Sequence, residues 1–360
     1  MSKREMAARV LGNTLTRKLW AWAGAGARAL RILAYHRVLD ADPQSFAFDE
    51  DLISATTDGF RQQMQFARRN FDVVSFQDLY ACDLECRPWP ERALVVTFDD
   101  GFRDNYTNAF PILKALGLPA TIFLATGHVG RSKLLWSDAI AYCFKRTSVR
   151  EVTLREVARQ SLPLLSAGER KAAIECVLRW IKQAPEDTKR AFLGELSTRL
   201  NVEVDDSLAE GMHLTWEDAR TMAADQIEFG SHSVSHPILA NVDPARLEDE
   251  LRESKRTIEE HLGREVIALA YPVGGPSAYN RRVQEAAAIC GYKYAMSYEE
   301  GVAAAGACDP FAMPRIHVER DHSLDLFCAN LMFPQVMLRN RQPRREDREV
   351  MALPPPAPAS

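Results

Sequence analysis

The sequence of 360 residues contains no long apolar run, no large excess of either charge and no cysteine-rich motif. The apolar run near the N-terminus covers only residues 19–27, whereas a helix that spans a bilayer needs about 20 apolar residues. The formal net charge of −4 lacks the global basic excess of nucleic-acid-binding proteins. With 46% hydrophobic and 26% charged residues, the composition is that of an ordinary soluble globular protein. We therefore expect no transmembrane span and no nucleic-acid partner.

The seven cysteines give no sign of a disulfide framework or of a cysteine-ligated zinc site. Their number is odd, and Cys82 and Cys86 form the only close pair in the sequence. A zinc site built from cysteines would need a second such pair. Cysteine usage therefore favours reduced thiols in a reducing compartment.

Residues 1–30 are predicted to form an N-terminal helical segment. Basic residues followed by a short apolar stretch resemble a signal peptide, but Glu5 lies in the basic region and Arg28 ends the apolar run. We predict that the segment is not cleaved and that an amphipathic helix lies on a membrane surface or on the folded domain. The protein is accordingly expected in the cytoplasm or at the periphery of the inner membrane, with export left open.

Strand-like and helix-like segments alternate from residue 31 to residue 333. Such alternation predicts parallel strands joined by crossover helices. The predicted strands include RILAYH, ALVVTFDD, PATIFLAT, IEFGSH, VIALAYP and YKYAMS, at residues 31–36, 93–100, 119–126, 227–232, 266–272 and 292–297. The alternation stops at about residues 133–212, which are helical in pattern without a convincing strand and are predicted to be an insertion. Residues 334–360 are rich in arginine and proline and are predicted to be a disordered tail.

Two adjacent carboxylates end one of these strands. The stretch VVTFDDGF, residues 95–102, places Asp99 and Asp100 directly after a β-favouring run. Two neighbouring negative charges repel each other unless a positive charge lies close by. A bound cation would stabilise both carboxylates and would lower the pKa of at least one.

Two histidines follow another strand and complete a candidate metal site. In GSHSVSHP, His232 and His236 lie four residues apart, which on a helical turn places both imidazoles on one face. The carboxyl ends of parallel strands meet on one face of a barrel, so Asp99 or Asp100 could supply the anionic ligand. One aspartate would bind the metal, and the other would accept a proton from the attacking water.

The segments TFDDG, SHSVSH and AYPVGG, in this order, resemble the first three motifs of the polysaccharide deacetylases, the NodB-homology proteins of carbohydrate esterase family four. The resemblance extends from about residue 31 to residue 318, apart from the helical insertion. It implies an α/β fold, a distorted (β/α)7 barrel of parallel strands, and removal of N-acetyl groups from sugars with one divalent metal ion. By this resemblance Asp99 is the general base, and the metal ligands are Asp100, His232 and His236. Zinc suits two imidazoles and one carboxylate, and cobalt, nickel or iron would fit the same ligands.

The third motif departs from the usual family pattern. It normally begins with an arginine that holds the catalytic aspartate, but Ala270 stands at this position. We expect Arg315 to supply the missing charge from another strand. Tyr271 precedes the proline, as an aromatic residue does in the branch that contains the poly-N-acetylglucosamine deacetylases.

The general acid is assigned through the same branch, which is circularly permuted and carries its acid histidine on the first strand. The opening strand ILAYHRV ends in His36, so we predict His36 as the acid and keep His317 as the second candidate. Tyr271 is a candidate for stacking on a sugar ring, and a backbone N–H near Val273 is a candidate donor to the oxyanion. The remaining histidines are predicted to lie at the surface: His128, His213, His261 and His322.

The predicted function is metal-dependent release of acetate from a polysaccharide or lipid-linked glycan that contains N-acetylhexosamine. The permuted motif layout favours a glycan made for export, such as an exopolysaccharide, and a lipid-linked or cytoplasmic sugar intermediate agrees with the sequence equally well. Two alternatives stay open. One is an amidohydrolase that acts on a small non-sugar amide, and the other is an inactive carbohydrate-binding relative.

Overall fold

The structure, a computed structural model, describes residues 3–23, 29–43, 45–304 and 308–338. Within these residues the strands are β1 (Ala29–Tyr35), β2 (Arg37–Val38), β3 (Ile53–Ala55), β4 (Asp72–Val73), β5 (Ala93–Phe98), β6 (Ala120–Leu124), β7 (Glu151–Val152), β8 (Leu162–Pro163), β9 (Ile227–Ser231), β10 (Ala268–Ala270), β11 (Tyr294–Glu300), β12 (Ala303–Ala304) and β13 (Met313–His317). The α-helices are α1 (Lys3–Leu11), α2 (Thr14–Ala23), α3 (Thr57–Asn70), α4 (Phe76–Leu84), α5 (Phe110–Leu116), α6 (Trp136–Arg146), α7 (Ala167–Ile181), α8 (Glu186–Arg199), α9 (Trp216–Ala223), α10 (Pro244–Leu262), α11 (Arg281–Ile289), α12 (Leu324–Met332) and α13 (Pro334–Met337).

Seven parallel strands close into a barrel in the order β1, β5, β6, β9, β10, β11 and β13. Leu33 closes the ring, because it pairs with Val96 of β5 on one side and with Ile316 of β13 on the other. The crossover helices lie outside the ring, while β4 extends from β5 and β12 from β1. The predicted distorted (β/α)7 barrel is therefore confirmed.

Side-chain alternation along the strands separates the barrel interior from the layer beneath the helices. On β1, Leu30 and Ile32 belong to the interior cluster, whereas Tyr35 packs outward against Phe60 of α3. The interior cluster also takes residues from β5, β6, β10, β11 and β13, namely Val95, Phe123, Ala268, Ala270, Met296 and Met313. Apolar side chains thus fill the body of the barrel, and polar side chains at the carboxyl ends of the strands surround its mouth.

The helical insertion lies between β6 and β9 and contains α6, α7 and α8. These helices share a core of their own, to which Ile140, Ile174 and Phe192 belong. The expectation of no strand in this region was wrong, because β7 and β8 form a short antiparallel pair. Two residues per strand are too few to produce the alternation of polar and apolar residues by which a strand is recognised.

Both ends of the described chain pack on the barrel. Helices α1 and α2 occupy the segment predicted to be helical, and Ala8 of α1 is buried against α12. The predicted tail boundary at residue 334 is too early, because α13 continues the fold and buries Met337. The tail prediction for residues 339–360 lies outside the described residues. No described helix is long and apolar enough to cross a membrane.

Candidate active site

The two adjacent aspartates lie at the mouth of the barrel, at the end of β5. Side chains alternate along a strand, and Asp99 lies two residues after Thr97, whose side chain faces the barrel interior. The alternation alone therefore directs the Asp99 carboxylate towards the barrel axis. Asp100 would point outward, but its φ of 71° and the φ of 70° at Gly101 turn the backbone. Both carboxylates therefore lie side by side, at 2% and 3% exposure.

His232 and His236 reach the same place from the end of β9. His232 directly follows the strand, but His236 lies in a loop and not on the helical turn that the four-residue spacing suggested. Positive φ angles at Ser233 (63°) and His236 (56°) bend this loop. Ser233 Oγ accepts a hydrogen bond from the His236 N–H at 3.1 Å, and the Glu250 carboxylate accepts two further backbone N–H bonds from residues 234 and 235. Hydrogen bonds to the side chains of Ser233 and Glu250, and not those of a helix, therefore fix the loop that positions the two imidazoles.

Asp100, His232 and His236 bring three potential ligand atoms together. Asp100 Oδ1 lies 3.5 Å from His232 Nε2 and 3.2 Å from His236 Nε2. This buried oxygen has no hydrogen-bond partner among the described residues, which is costly unless the oxygen binds a cation. The His232 Nδ1–H donates to the Ala270 carbonyl at 2.7 Å, so Nε2 keeps its lone pair for a metal. The arrangement fits a divalent metal held by two imidazoles and one carboxylate.

Burial controls the charge of these three groups. It lowers the pKa of His232, and burial together with Lys189 lowers the pKa of His236 to about 4. Both imidazoles are therefore neutral at physiological pH, which is the form that binds a metal. Burial also raises the pKa of Asp100, even though histidines lie close to it. A cation at this point would offset the cost of ionising that carboxyl.

Arg315 binds both carboxylate oxygens of Asp99 from β13. Its Nη1 lies 2.8 Å from Oδ1 and its Nη2 lies 2.7 Å from Oδ2, while Nε donates to the Ser297 carbonyl at 2.9 Å. Burial by itself raises the pKa of the Asp99 carboxyl, but Arg315 and two nearby histidines lower it well below its ordinary value. The contact expected between Arg315 and Asp99 is present, and Asp99 is ionised.

Of the two candidate acids, His36 lies next to Asp99. Its Nε2 is 4.0 Å from Asp99 Oδ2, and its ring lines the cavity above the barrel. His317 stacks on Tyr298 with ring centroids 3.8 Å apart, and among the described residues it is not part of the cavity wall. Tyr298 also meets the His36 ring edge-on, at 5.5 Å. Position therefore favours His36 over His317.

Tyr271 is among the residues that line the cavity, but very little of its side chain is exposed to a sugar ring. The side chain is only 1% exposed, its hydroxyl donates to the Phe311 carbonyl at 2.9 Å, and its ring stacks on Tyr279 at 4.6 Å. Tyr271 therefore packs within the protein, since its polar tip and its ring face both have partners. Val273, two residues on, lines the cavity with a φ of 65°, which is a strained angle for a β-branched residue.

A cavity of about 980 Å³ opens above the three potential ligands. Besides the barrel residues, its wall includes α7 of the insertion and the residue after it, which together contribute Lys171, Glu175, Leu178, Arg179 and Lys182. Trp136, at the start of α6, also lines it and donates from its indole N–H to the His236 carbonyl at 3.2 Å. The insertion therefore forms part of the candidate site, and its sequence carried no motif that would have revealed this.

Two histidines assigned to the surface are buried beneath the site. His128 is 2% exposed and His213 is 3% exposed, with ring centroids 5.3 Å apart. Burial, as the largest cause, lowers the pKa of each to about 3. They lie in loops after β6 and before α9, and their sequence surroundings are polar enough to suggest exposure.

Comparisons with known proteins agree with this geometry. The family model for polysaccharide deacetylases matches residues 87–295, more than half of the chain. The chain belongs to the polysaccharide deacetylase family. A putative polysaccharide deacetylase, YxkH of Bacillus subtilis, is 22% identical over 239 residues, which cover 66% of this chain and 56% of that protein.

A second relative and one solved structure extend the comparison. Poly-beta-1,6-N-acetyl-D-glucosamine N-deacetylase of Escherichia coli K12 is 36% identical over 89 residues, which cover 24% of this chain and 12% of that protein. The Streptococcus pyogenes deacetylase PplD, solved in complex with acetate, has a TM-score of 0.56 at 20% identity, and the match covers 84% of this chain and 97% of that one. At this identity the structural match shows the polysaccharide deacetylase fold. The alignments span about half the length of the Bacillus relative and about an eighth of the E. coli protein.

Proposed function

We propose that the protein is a metal-dependent hydrolase that releases acetate from an N-acetylhexosamine glycan. The observation that carries this proposal is the meeting of Asp99, Asp100, His232 and His236 at one end of a closed barrel. Four polar side chains from two distant segments are buried there. Their desolvation costs free energy, and folded proteins rarely bury such a group of side chains without a function. Membership of the deacetylase family gives the reaction class.

The proposed metal ligands are Asp100, His232 and His236. Zinc is the first choice for this donor set, and cobalt, nickel or iron would also suit it. A divalent ion held there supplies Lewis-acid polarisation of the acetyl carbonyl and of the attacking water. The hydrogen bond from His232 Nδ1–H to the Ala270 carbonyl fixes the orientation of the ring and leaves Nε2 as the donor atom to the metal.

Asp99 is the proposed general base. Its carboxylate is ionised and adjoins Asp100, so it can take a proton from a water placed above the ligand set. Arg315 donates hydrogen bonds to both Asp99 oxygens and so restricts rotation of the carboxylate. The low pKa makes Asp99 a weak base, and orientation of the water has to compensate for that weakness.

His36 is the proposed general acid, and the amide of Val273 is the proposed oxyanion donor. His36 lies at the cavity wall, where its Nε2 can donate a proton to the sugar nitrogen as the C–N bond breaks. The positive φ at Val273 turns the local backbone at the edge of the same cavity. A backbone N–H near this residue would stabilise negative charge on the former carbonyl oxygen.

The proposed substrate is a polymeric or lipid-linked glycan rather than a single sugar. The cavity of about 980 Å³ lies at the upper end of the range typical of ligand sites and is walled by both barrel and insertion. The name of the E. coli relative points to poly-N-acetylglucosamine, and that match covers the chain only in part. An exopolysaccharide intermediate is therefore our first choice, at the inner membrane or in the cytoplasm.

Acetate release from defined oligomers of N-acetylglucosamine, measured beside release from acetanilide, tests the function. We expect turnover of the oligomers to exceed turnover of the simple amide by at least tenfold, because only the oligomer reaches the insertion wall. Higher turnover of acetanilide would favour an amidohydrolase of small molecules. Binding of the oligomers without acetate release, after metal reconstitution, would favour an inactive carbohydrate-binding relative.

Substitution of His36 and of His317 separates the two candidate acids. We expect His36→Ala to reduce turnover by about 10²–10⁴-fold, the usual contribution of a general acid, with metal content unchanged. His317→Ala is the matched control, since it removes a nearby imidazole that stacks on Tyr298. A larger loss in His317→Ala than in His36→Ala would contradict the assignment.

A further inference from the structure

The N-terminal helices have one side that packs on the protein and one side that faces outward. On the inner side, Ala8 of α1 is 1% exposed and packs in a small core with Leu326 and Ala329 of α12. Ion pairs join the same helices to the domain, between Arg4 and Glu300 at 3.1 Å and between Arg17 and Asp325. These contacts fix the orientation of α1 and α2, so the identity of the outward side chains is well defined.

The outward side exposes large apolar side chains. Seven such residues are well exposed in the described part of the chain, and four of them belong to α1, α2 and α13. These four are Met6 (48% exposed), Val10 (65%), Leu15 (68%) and Val336 (63%). Met6 and Val10 lie one helical turn apart, and α1 contacts both α2 and α13. Single exposed apolar residues are common on proteins, but four on adjoining elements form a feature that needs an explanation.

Basic residues accompany the apolar ones. Arg9 and Lys18 are exposed on α1 and α2, and Glu5 is an exposed acidic residue on the same pair of helices. The exposed side of α1 and α2 thus combines two basic side chains and one acidic side chain with large apolar ones.

We propose that this terminal face, defined by Met6, Arg9, Val10, Leu15, Lys18 and Val336, binds the surface of an anionic lipid bilayer. Helices that lie in a membrane interface combine apolar side chains with lysine and arginine, and they bind anionic lipids most strongly. A second copy of this chain is a poorer occupant, because two faces with the same positive charge repel each other. The proposal rests on the terminal helices alone and is independent of the proposed deacetylase activity.

Sedimentation of the full chain with vesicles tests the proposal. We expect the protein to bind vesicles of phosphatidylcholine mixed with phosphatidylglycerol, and to bind vesicles of phosphatidylcholine alone much more weakly. The triple variant Met6→Ser, Val10→Ser, Leu15→Ser should lose at least about tenfold in affinity, since three inserted side chains are removed. The matched control is Leu84→Ser, Leu165→Ser, Ile289→Ser, which changes the three exposed apolar residues that lie on separate elements. That control should bind as the unchanged chain does.

The contribution of charge is measured in a second variant, Arg9→Gln, Lys18→Gln. Its binding should fall several-fold, and binding of the unchanged protein should weaken as salt is raised. Equal binding by the apolar triple variant and its control would overturn the proposal. So would a dimer in light scattering that binds no vesicles and dissociates in the triple variant. Acetate release from a water-soluble oligomer should be the same in all these variants, so its loss would bear on the proposed function and not on this face.

Discussion

Asp99→Asn is expected to reduce acetate release by about 10²–10⁴-fold while leaving the metal content of the protein unchanged. The substitution keeps the shape of the side chain and removes its ability to accept a proton from water. Asp99 contributes no atom to the group of three ligands, so a metal held by Asp100, His232 and His236 should remain. The measurement is initial rate with metal analysis of the same sample.

Asp104→Asn provides the matched control for this substitution. Asp104 is also buried, at 6% exposure, and its carboxylate also pairs with an arginine, Arg37, at 2.8 Å. We expect this variant to lose thermal stability but to keep most of its activity. If Asp99→Asn loses its metal, Asp99 is itself a metal ligand, and this result would contradict its role as base.

Replacing Arg315 by methionine is expected to lower the free energy of unfolding by about 3–5 kcal/mol, the usual cost of removing one partner of a buried ion pair. The loss is large because Arg315 is wholly buried and Asp99 would retain a negative charge without its two hydrogen bonds. Activity should also fall sharply, because the carboxylate is then free to rotate. Urea denaturation and acetate release measure the two effects.

The double variant Asp99→Asn, Arg315→Met tests whether the two residues act as a pair. Once the carboxylate is removed, the loss of Arg315 no longer leaves a buried charge. We therefore expect the double variant to be less destabilised than the sum of the single variants, by about 0.5–3 kcal/mol. Arg315→Lys should rescue little activity, because lysine cannot bind both oxygens at once. Additive losses would mean that the contact has no energetic importance.

The barrel and its site followed from local patterns in the sequence. Alternating strand and helix segments predict parallel strands, and the carboxyl ends of such strands meet at one face, which is why Asp99 and His232 could be brought together without a structure. Arg315 was harder to place, because it is 216 residues from Asp99 and was assigned through a family resemblance and the absence of an arginine at Ala270.

Other features depended on tertiary contacts that leave no local pattern. The spacing of His232 and His236 suggested a helical turn, but the segment is a loop whose backbone N–H groups donate hydrogen bonds to Ser233 Oγ and to the Glu250 carboxylate. Tyr271 was predicted to stack on a sugar because aromatic residues often do. Its ring instead stacks on Tyr279, and this contact could not be predicted because Tyr279 lies in an irregular segment without a sequence pattern. The cavity wall formed by α7 depends on how the insertion folds back over the barrel, which no motif in residues 133–212 encodes.

The proposed activity depends most directly on a metal ion held by Asp100, His232 and His236. Metal content per chain, measured by mass spectrometry after reconstitution with zinc and removal of excess metal, tests this claim. We expect about one ion in the unchanged protein, about one in the control His213→Ala, which removes a buried histidine outside the ligand set, and none in His236→Ala. An unchanged protein without a bound ion, or a His236→Ala variant that keeps one, would contradict the account.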